Sequence, residues 1–161
     1  MGAAALSRGL SPRPRCAPAL LRISRALLSE VRAHAAATFP EECCGFLLGE
    51  AAGDDRTVRA VVRAANTFAP PELRARHYAY DPLALVRAEE EQAARGFEHV
   101  GFYHSHPTGV ARPSEYDRLH AGFAGQSYLI VAVTAKGPGE AASFALSADR
   151  TFKSEELLVL P

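Results

Sequence analysis

What this sequence has little of narrows its function first. It carries no surplus of either charge, since 18 Lys and Arg are matched by 18 Asp and Glu for a formal net charge of zero. A nucleic acid or an acidic membrane surface calls for a basic partner, and this composition does not supply one. Long apolar runs are also missing. Stretches such as 46–48 and 128–133 fall far short of the ~20 residues that a membrane-crossing helix requires, so no membrane association is expected. Cysteine is scarce as well: Cys43 and Cys44 are neighbours and Cys16 lies in an irregular segment. Three such residues build no disulfide framework, which points to a reducing, cytoplasmic setting. Residues 1–19 lack acidic side chains, periodicity and a continuous apolar stretch, and they hold prolines at 12, 14 and 18. The missing apolar stretch argues against a secretory signal, and the missing acids are faintly like a transit peptide. The expectation is a disordered N-terminal tail over residues 1–19.

What is present suits one domain over residues 20–161, because a chain of 161 residues has room for a single core. Neither an internal repeat nor a linker divides it. A short strand is expected at 20–23, then a helix capped by Ser24, in which Leu27, Leu28, Val31, Ala35 and Phe39 recur at helical spacing until Pro40 stops it. The apolar run 43–49 reads as a buried strand, and the alternating valines and arginines of 57–65 read as a strand with one wet face. Tyr78 and Tyr80 alternate likewise. Asp81 and Pro82 start a helix that runs to Arg95 and ends at Gly96. Strands follow at 99–105, 128–134, 141–146 and 157–160, with a short helix at 114–122. The fold class is α/β: a mixed, curved β-sheet of about six to eight strands flanked by helices.

The informative stretch is Gly101-Phe102-Tyr103-His104-Ser105-His106-Pro107, continued to Ser114-Glu115-Tyr116-Asp117. Side chains alternate along a strand, so His104 and His106 point to one side of the sheet and form a ready pair of imidazole ligands. Catalytic zinc typically takes three protein ligands, imidazole and carboxylate among them. Asp117 supplies the third if the glycine- and proline-containing loop folds back, and Ser114 then stands one helical turn before it on the same face. Each residue also has a plainer reading. A His-x-His pair alone is weak, Ser114 and Asp117 suit a helix N-cap and a first-turn acid, and Glu42 by itself suits a solvated acid.

Taken together, these residues resemble the JAMM (MPN+) metallopeptidases, whose signature is a glutamate, then His-x-His, seven residues, and Ser-x-x-Asp. Residues 107–113 supply the seven, and Glu42-Cys43-Cys44-Gly45 is similar to the family's Glu-x-Cys-Gly strand. Glu41 is the neighbouring candidate; Glu42 has the family's distance to the glycine, and Glu41 would point to the other face. The resemblance covers about residues 20–161 and lies nearer the compact bacterial branch, with no insertion long enough for the substrate-clamping segments of the eukaryotic deubiquitinases. It implies an MPN fold, similar to that of the cytidine deaminases. It also implies zinc on His104, His106 and Asp117, Glu42 as proton carrier and Ser114 as hydrogen-bond donor to the oxyanion.

The activity implied is hydrolysis of an amide bond after the C-terminal Gly-Gly of a ubiquitin-like or sulfur-carrier protein. Strand addition at a sheet edge beside the site would align an extended tail, and glycines would pass a narrow approach because they carry no side chain. Two rivals are a non-catalytic MPN scaffold, which would be expected to lose ligands, and a zinc hydrolase of a small molecule. The deaminase version of the second needs His-x-Glu and Pro-Cys-x-x-Cys, and the sequence has neither. Four further features take plain readings. His120 is expected on a helix surface, Cys43 and Cys44 as inert buried thiols, residues 89–91 as a solvated acidic face, and Ser105 as turned from the metal to steady the backbone.

Overall fold

A computed structural model describes residues 19–161. The tail expected over 1–19 therefore lies, apart from Ala19, outside the described residues. The chain runs β1 (Leu20–Ser24), α1 (Arg25–Thr38), β2 (Cys44–Ala52), β3 (Asp55–Ala64), a 3-10 turn (Pro71–Leu73), α2 (Pro82–Ala93), β4 (Glu98–His106), α3 (Glu115–His120), β5 (Ser127–Thr134), β6 (Gly137–Leu146) and β7 (Phe152–Leu160). The seven strands of the described residues fall within the expected six to eight, and three α-helices accompany them there. None of these helices is long and apolar enough to cross a membrane.

The strand order is β1-β3-β2-β4-β5-β6-β7, and the parallel pairing of β7 with β1 closes it into a barrel. Parallel pairs also join β1 to β3 and β4 to β5, and the remaining neighbours are antiparallel. The sheet has two apolar faces because α1 lies within its curve and α2 against its back. Ser24 caps α1 by accepting the Leu27 N–H at 3.2 Å, and the helical spacing of Leu28, Val31 and Ala35 turns them onto Leu47, Tyr103 and Leu129. On the other face, Leu85 and Ala88 of α2 pack on Cys44, Phe46 and Phe102. Burial on this scale is the main stabilising term, at about 1.5–3 kcal/mol for each large side chain fully withdrawn from water.

Two local features set the phase of the strands that matter. Between β2 and β4 the register slips, Leu47 facing Gly101 but Leu48 facing His99; Val100 is the extra residue, a β-bulge of the kind that re-aims the side chains beyond it. Phe102 then faces α2 and Tyr103 faces α1. Gly45 permits this packing, since a Cβ there would stand 2.4 Å from the Tyr103 ring. One element differs from the expectation. Tyr78 and Tyr80 lie in a segment without ladder pairing, whose only sheet-like bond joins Thr67 N–H to the Ala79 carbonyl at 2.8 Å.

Candidate metal centre

The site forms where β4 ends. His104 and His106 share the face of Phe102, while Ser105 points the other way and accepts the Cys43 N–H at 2.9 Å, steadying the backbone as its parity requires. The loop 107–113 then turns back: Gly109 adopts a φ of +78°, a conformation that favours glycine, and buried Ala111 packs on Ile130 and Ala132. The returning Val110 carbonyl accepts from His106 Nδ1 at 3.0 Å. That bond puts the ring proton on Nδ1 and leaves the Nε2 lone pair for another partner.

Helix α3 brings in the third group. Ser114 is its N-cap, and Asp117 completes a capping box. The Asp117 Oδ2 accepts from Ser114 N–H at 2.6 Å and from its hydroxyl at 2.8 Å. Nε2 of His104 and Nε2 of His106 are 2.9 Å apart, and Asp117 oxygens lie 3.4 and 3.2 Å from them. A tetrahedral zinc with bonds of about 2.0–2.1 Å needs donor atoms about 3.3 Å apart. The observed separations lie near that value, and each of the three residues offers one donor atom within 4.8 Å of the others, a pair of imidazole nitrogens and a carboxylate that suits the ion. Burial alone would raise the Asp117 carboxyl; the His104 and His106 rings beside it and the Ser114 N–H together hold it well below the usual carboxylate range.

Glu42 is 4% exposed and sits two residues before the Cys44 that pairs with His104, on the same strand face. Its Oε1 is 4.0 Å from His106 Nε2, outside the compact trio. Burial pushes its carboxyl up to about 8, with His106 opposing and Asp117 reinforcing the shift. Glu41, of opposite parity, is partly exposed. The five residues singled out in the sequence thus meet in one cluster. His120 is exposed and stacks on Tyr116 at 3.8 Å. Cys43 and Cys44 are free, buried thiols, pushed up by burial to about 11 and about 12, as inert cysteines should be. Glu89, Glu90 and Glu91 are exposed.

Sequence reasoning missed Tyr78. Its ring stacks on His104 with centroids 4.6 Å apart and covers the imidazole from the side of α2. It also lines a cavity of about 550 Å³ bordered by Asp117, Tyr80, Leu85, Phe102 and Phe123. The aromatic alternation of Tyr78 and Tyr80 was the only signal available in the sequence. The geometry also removes one expectation: β4 is hydrogen-bonded to β2 and to β5, so among the described residues no free sheet edge adjoins His104 and His106 for strand addition.

Comparison with known proteins agrees with this architecture. Residues 24–147 match the family described as prokaryotic homologs of the JAB domain. The chain is 40% identical over 104 residues to a desampylase of Haloferax volcanii, covering 65% of this chain and 71% of that protein. It is 38% identical over 98 residues to a probable TtuB-protein conjugate cleaving protease of Thermus thermophilus, covering 61% of each. A solution structure of a protein from Desulfitobacterium hafniense superposes with a TM-score of 0.76 at 31% identity, over 88% of this chain and 93% of that one. With the match spanning both β2 and the histidine pair of β4, this chain belongs to the prokaryotic homologs of the JAB domain.

Proposed function

We propose that residues 20–161 form a zinc metallopeptidase that hydrolyses the amide bond following the C-terminal Gly-Gly of a ubiquitin-like or sulfur-carrier protein. The observation that carries this reading is the convergence of one donor atom each from His104, His106 and Asp117 beside a buried carboxyl, Glu42. The substrate class draws support from the relatives named as a desampylase and a conjugate-cleaving protease. Buried free thiols at Cys43 and Cys44 suit a reducing compartment, and we place the enzyme in the cytoplasm.

His104, His106 and Asp117 would hold the ion. Zinc, when bound, supplies a Lewis acid that polarises the scissile carbonyl and brings the pKa of water toward neutrality. Glu42 takes the proton of the attacking water and delivers it to the nitrogen of the leaving amine as the C–N bond breaks. Its buried setting favours the protonated form, and a cation alongside favours the carboxylate, so the group is suited to both halves of that transfer. The Ser114 hydroxyl turns from Asp117 Oδ2 to donate to the carbonyl oxygen as it gains charge, while the Ser114 N–H keeps hold of Asp117. The aromatic cavity bordered by Asp117 cradles the apolar part of the carrier's tail.

The test offers the purified protein a sulfur-carrier protein extended beyond its Gly-Gly, next to a copy with Ala-Ala in that place, and follows mass loss with and without chelator. Cleavage of the first copy alone, abolished by the chelator, is expected. One zinc per chain should accompany it and be lost in His106→Ala, because two ligands do not hold the ion tightly. Equal cleavage of both copies, or cleavage that persists without metal, overturns the reading.

A further inference from the structure

Glu42 and Cys43 stand before the first ladder pair of β2, in which Cys44 faces His104, yet each of their four backbone polar groups has a partner. The Glu42 N–H donates to the Arg74 carbonyl at 2.8 Å, and the Glu42 carbonyl accepts from Asn66 Nδ2 at 3.0 Å. The Cys43 N–H donates to Ser105 Oγ at 2.9 Å, and the Cys43 carbonyl accepts the Ser105 N–H at 3.1 Å. The residue that carries the buried carboxyl is therefore not a frayed strand end, although no neighbouring strand pairs with it.

Asn66 is fully committed. Its second amide hydrogen goes to the His77 carbonyl at 3.0 Å, and its Oδ1 accepts from the N–H of Phe68 at 3.1 Å and of Ala79 at 3.2 Å. An asparagine side chain offers two donor hydrogens and two acceptor sites, and all are in use, so the network fixes its orientation. The same bonds close the segment 66–80 on itself, and that segment lays Tyr78 on His104 and His77 on Tyr116.

We propose that Asn66 and Ser105 are positioning residues, which grip the backbone of Glu42 and Cys43 from two sides and so set where the Glu42 carboxylate stands relative to His106. The proposal rests on the reading of Glu42 as proton carrier. Proton transfer requires the heavy atoms to come within about 2.6–3.2 Å, and a displacement of about 1 Å costs on the order of 100-fold in rate. A backbone released at either grip permits such a displacement while His104, His106 and Asp117 keep their own side chains.

The experiment makes Asn66→Asp and Ser105→Ala in the full chain, each alone and each combined with Glu42→Gln. Asn66→Asp is nearly isosteric; it keeps acceptors for the Phe68 and Ala79 amides and removes the donors to Glu42 and His77. With zinc loaded and the Gly-Gly carrier as substrate, each single variant should hold one zinc and keep its KM, while kcat falls roughly 10- to 100-fold. In the Glu42→Gln background neither change should lower the residual rate further, because the group they position is already gone. A readout independent of turnover is amide exchange in the metal-free protein. The Cys43 amide should exchange faster in Ser105→Ala, while amides of the β4–β5 ladder keep their protection. Wild-type kcat in both folded variants, or losses that multiply with that of Glu42→Gln, overturns the proposal. Glu42→Gln turning over like the wild type is a different result, and it overturns the reading on which the proposal rests. Should neither variant fold, fast exchange of the Glu42 and Cys43 amides in the wild-type protein overturns it alone.

Discussion

The carboxylate of Glu42 lies 4.0 Å from Nε2 of His106, close enough to share a reacting molecule and too far to complete the trio of metal donors. On the proposed reading, that offset separates binding the ion from moving the proton. Glu42→Gln should therefore keep the fold and a full complement of zinc while kcat drops about 100-fold or more, the scale of a positioned general acid/base. Glutamine can hold a water by hydrogen bond but cannot carry its proton. Metal analysis beside steady-state kinetics checks this, and an inactive Glu41→Gln with an active Glu42→Gln would reverse the assignment.

Ser114 serves the helix and, on the proposed reading, the reaction. Its hydroxyl oxygen accepts the Asp117 N–H at 3.1 Å as an N-cap, and removing such a cap costs about 0.5–2 kcal/mol. Ser114→Ala should show both effects: a modest loss of stability in urea and a fall in kcat of about 100-fold, the scale of a lost oxyanion donor, with KM little changed. Ser114→Gly separates them, because glycine is a tolerable N-cap that leaves stability nearly intact yet has no hydroxyl. A Gly variant with wild-type kcat would leave Ser114 as a cap alone.

Much of this was legible in the sequence because it is local. His104 and His106 follow the two-residue period of a strand, Ser114 and Asp117 the one-turn spacing of a helix, and Glu42 the parity that separates it from Glu41. What the sequence hid depends on contacts between distant segments. Closure of the barrel needs β7 beside β1, which joins the two ends of the domain and leaves no pattern within either strand. Tyr78 and Tyr80 alternate like a strand, but their segment is held by the Asn66 side chain and not by a ladder. The free edge expected near the histidines vanished because β5 pairs in parallel with β4 through His106, and a parallel neighbour is supplied by a crossover that no short window reveals.

His34 should make stability depend on pH. It sits in α1, and its Nδ1 is 2.8 Å from the Tyr103 hydroxyl; burial, with Arg63 adding to it, lowers its pKa from 6.5 to about 4. A histidine depressed in the folded state binds its proton more readily when unfolded. Its contribution is therefore fully present above about pH 6.5 and is lost as the pH falls toward 4. The ring is only partly buried, and solvent screening limits the effect to the order of 1 kcal/mol. Urea midpoints of the metal-free protein at pH 7 and pH 4.5 should fall further apart for the wild type than for His34→Gln. Equal falls would show that His34 does not report on folding.

The cavity beside Asp117 should govern substrate affinity without touching chemistry. Val86 and Phe123 stand on its lining and are 46% and 44% exposed, so a polar substitution there disturbs the core less than one at the buried Phe102 or Leu85, although the Phe123 ring also meets Phe102. Covering a side chain of this size on binding contributes about 1.5–3 kcal/mol when complete, and these two are covered only in part. Phe123→Lys should therefore raise KM for the carrier roughly 10-fold, with kcat and zinc content unchanged. A loss confined to KM is what the removal of uniform binding produces, since the interaction is the same in the ground state and the transition state. A fall in kcat at unchanged KM would instead mean that Phe123 acts through α3 on Asp117. An unaltered KM would move the carrier's apolar contact away from this cavity.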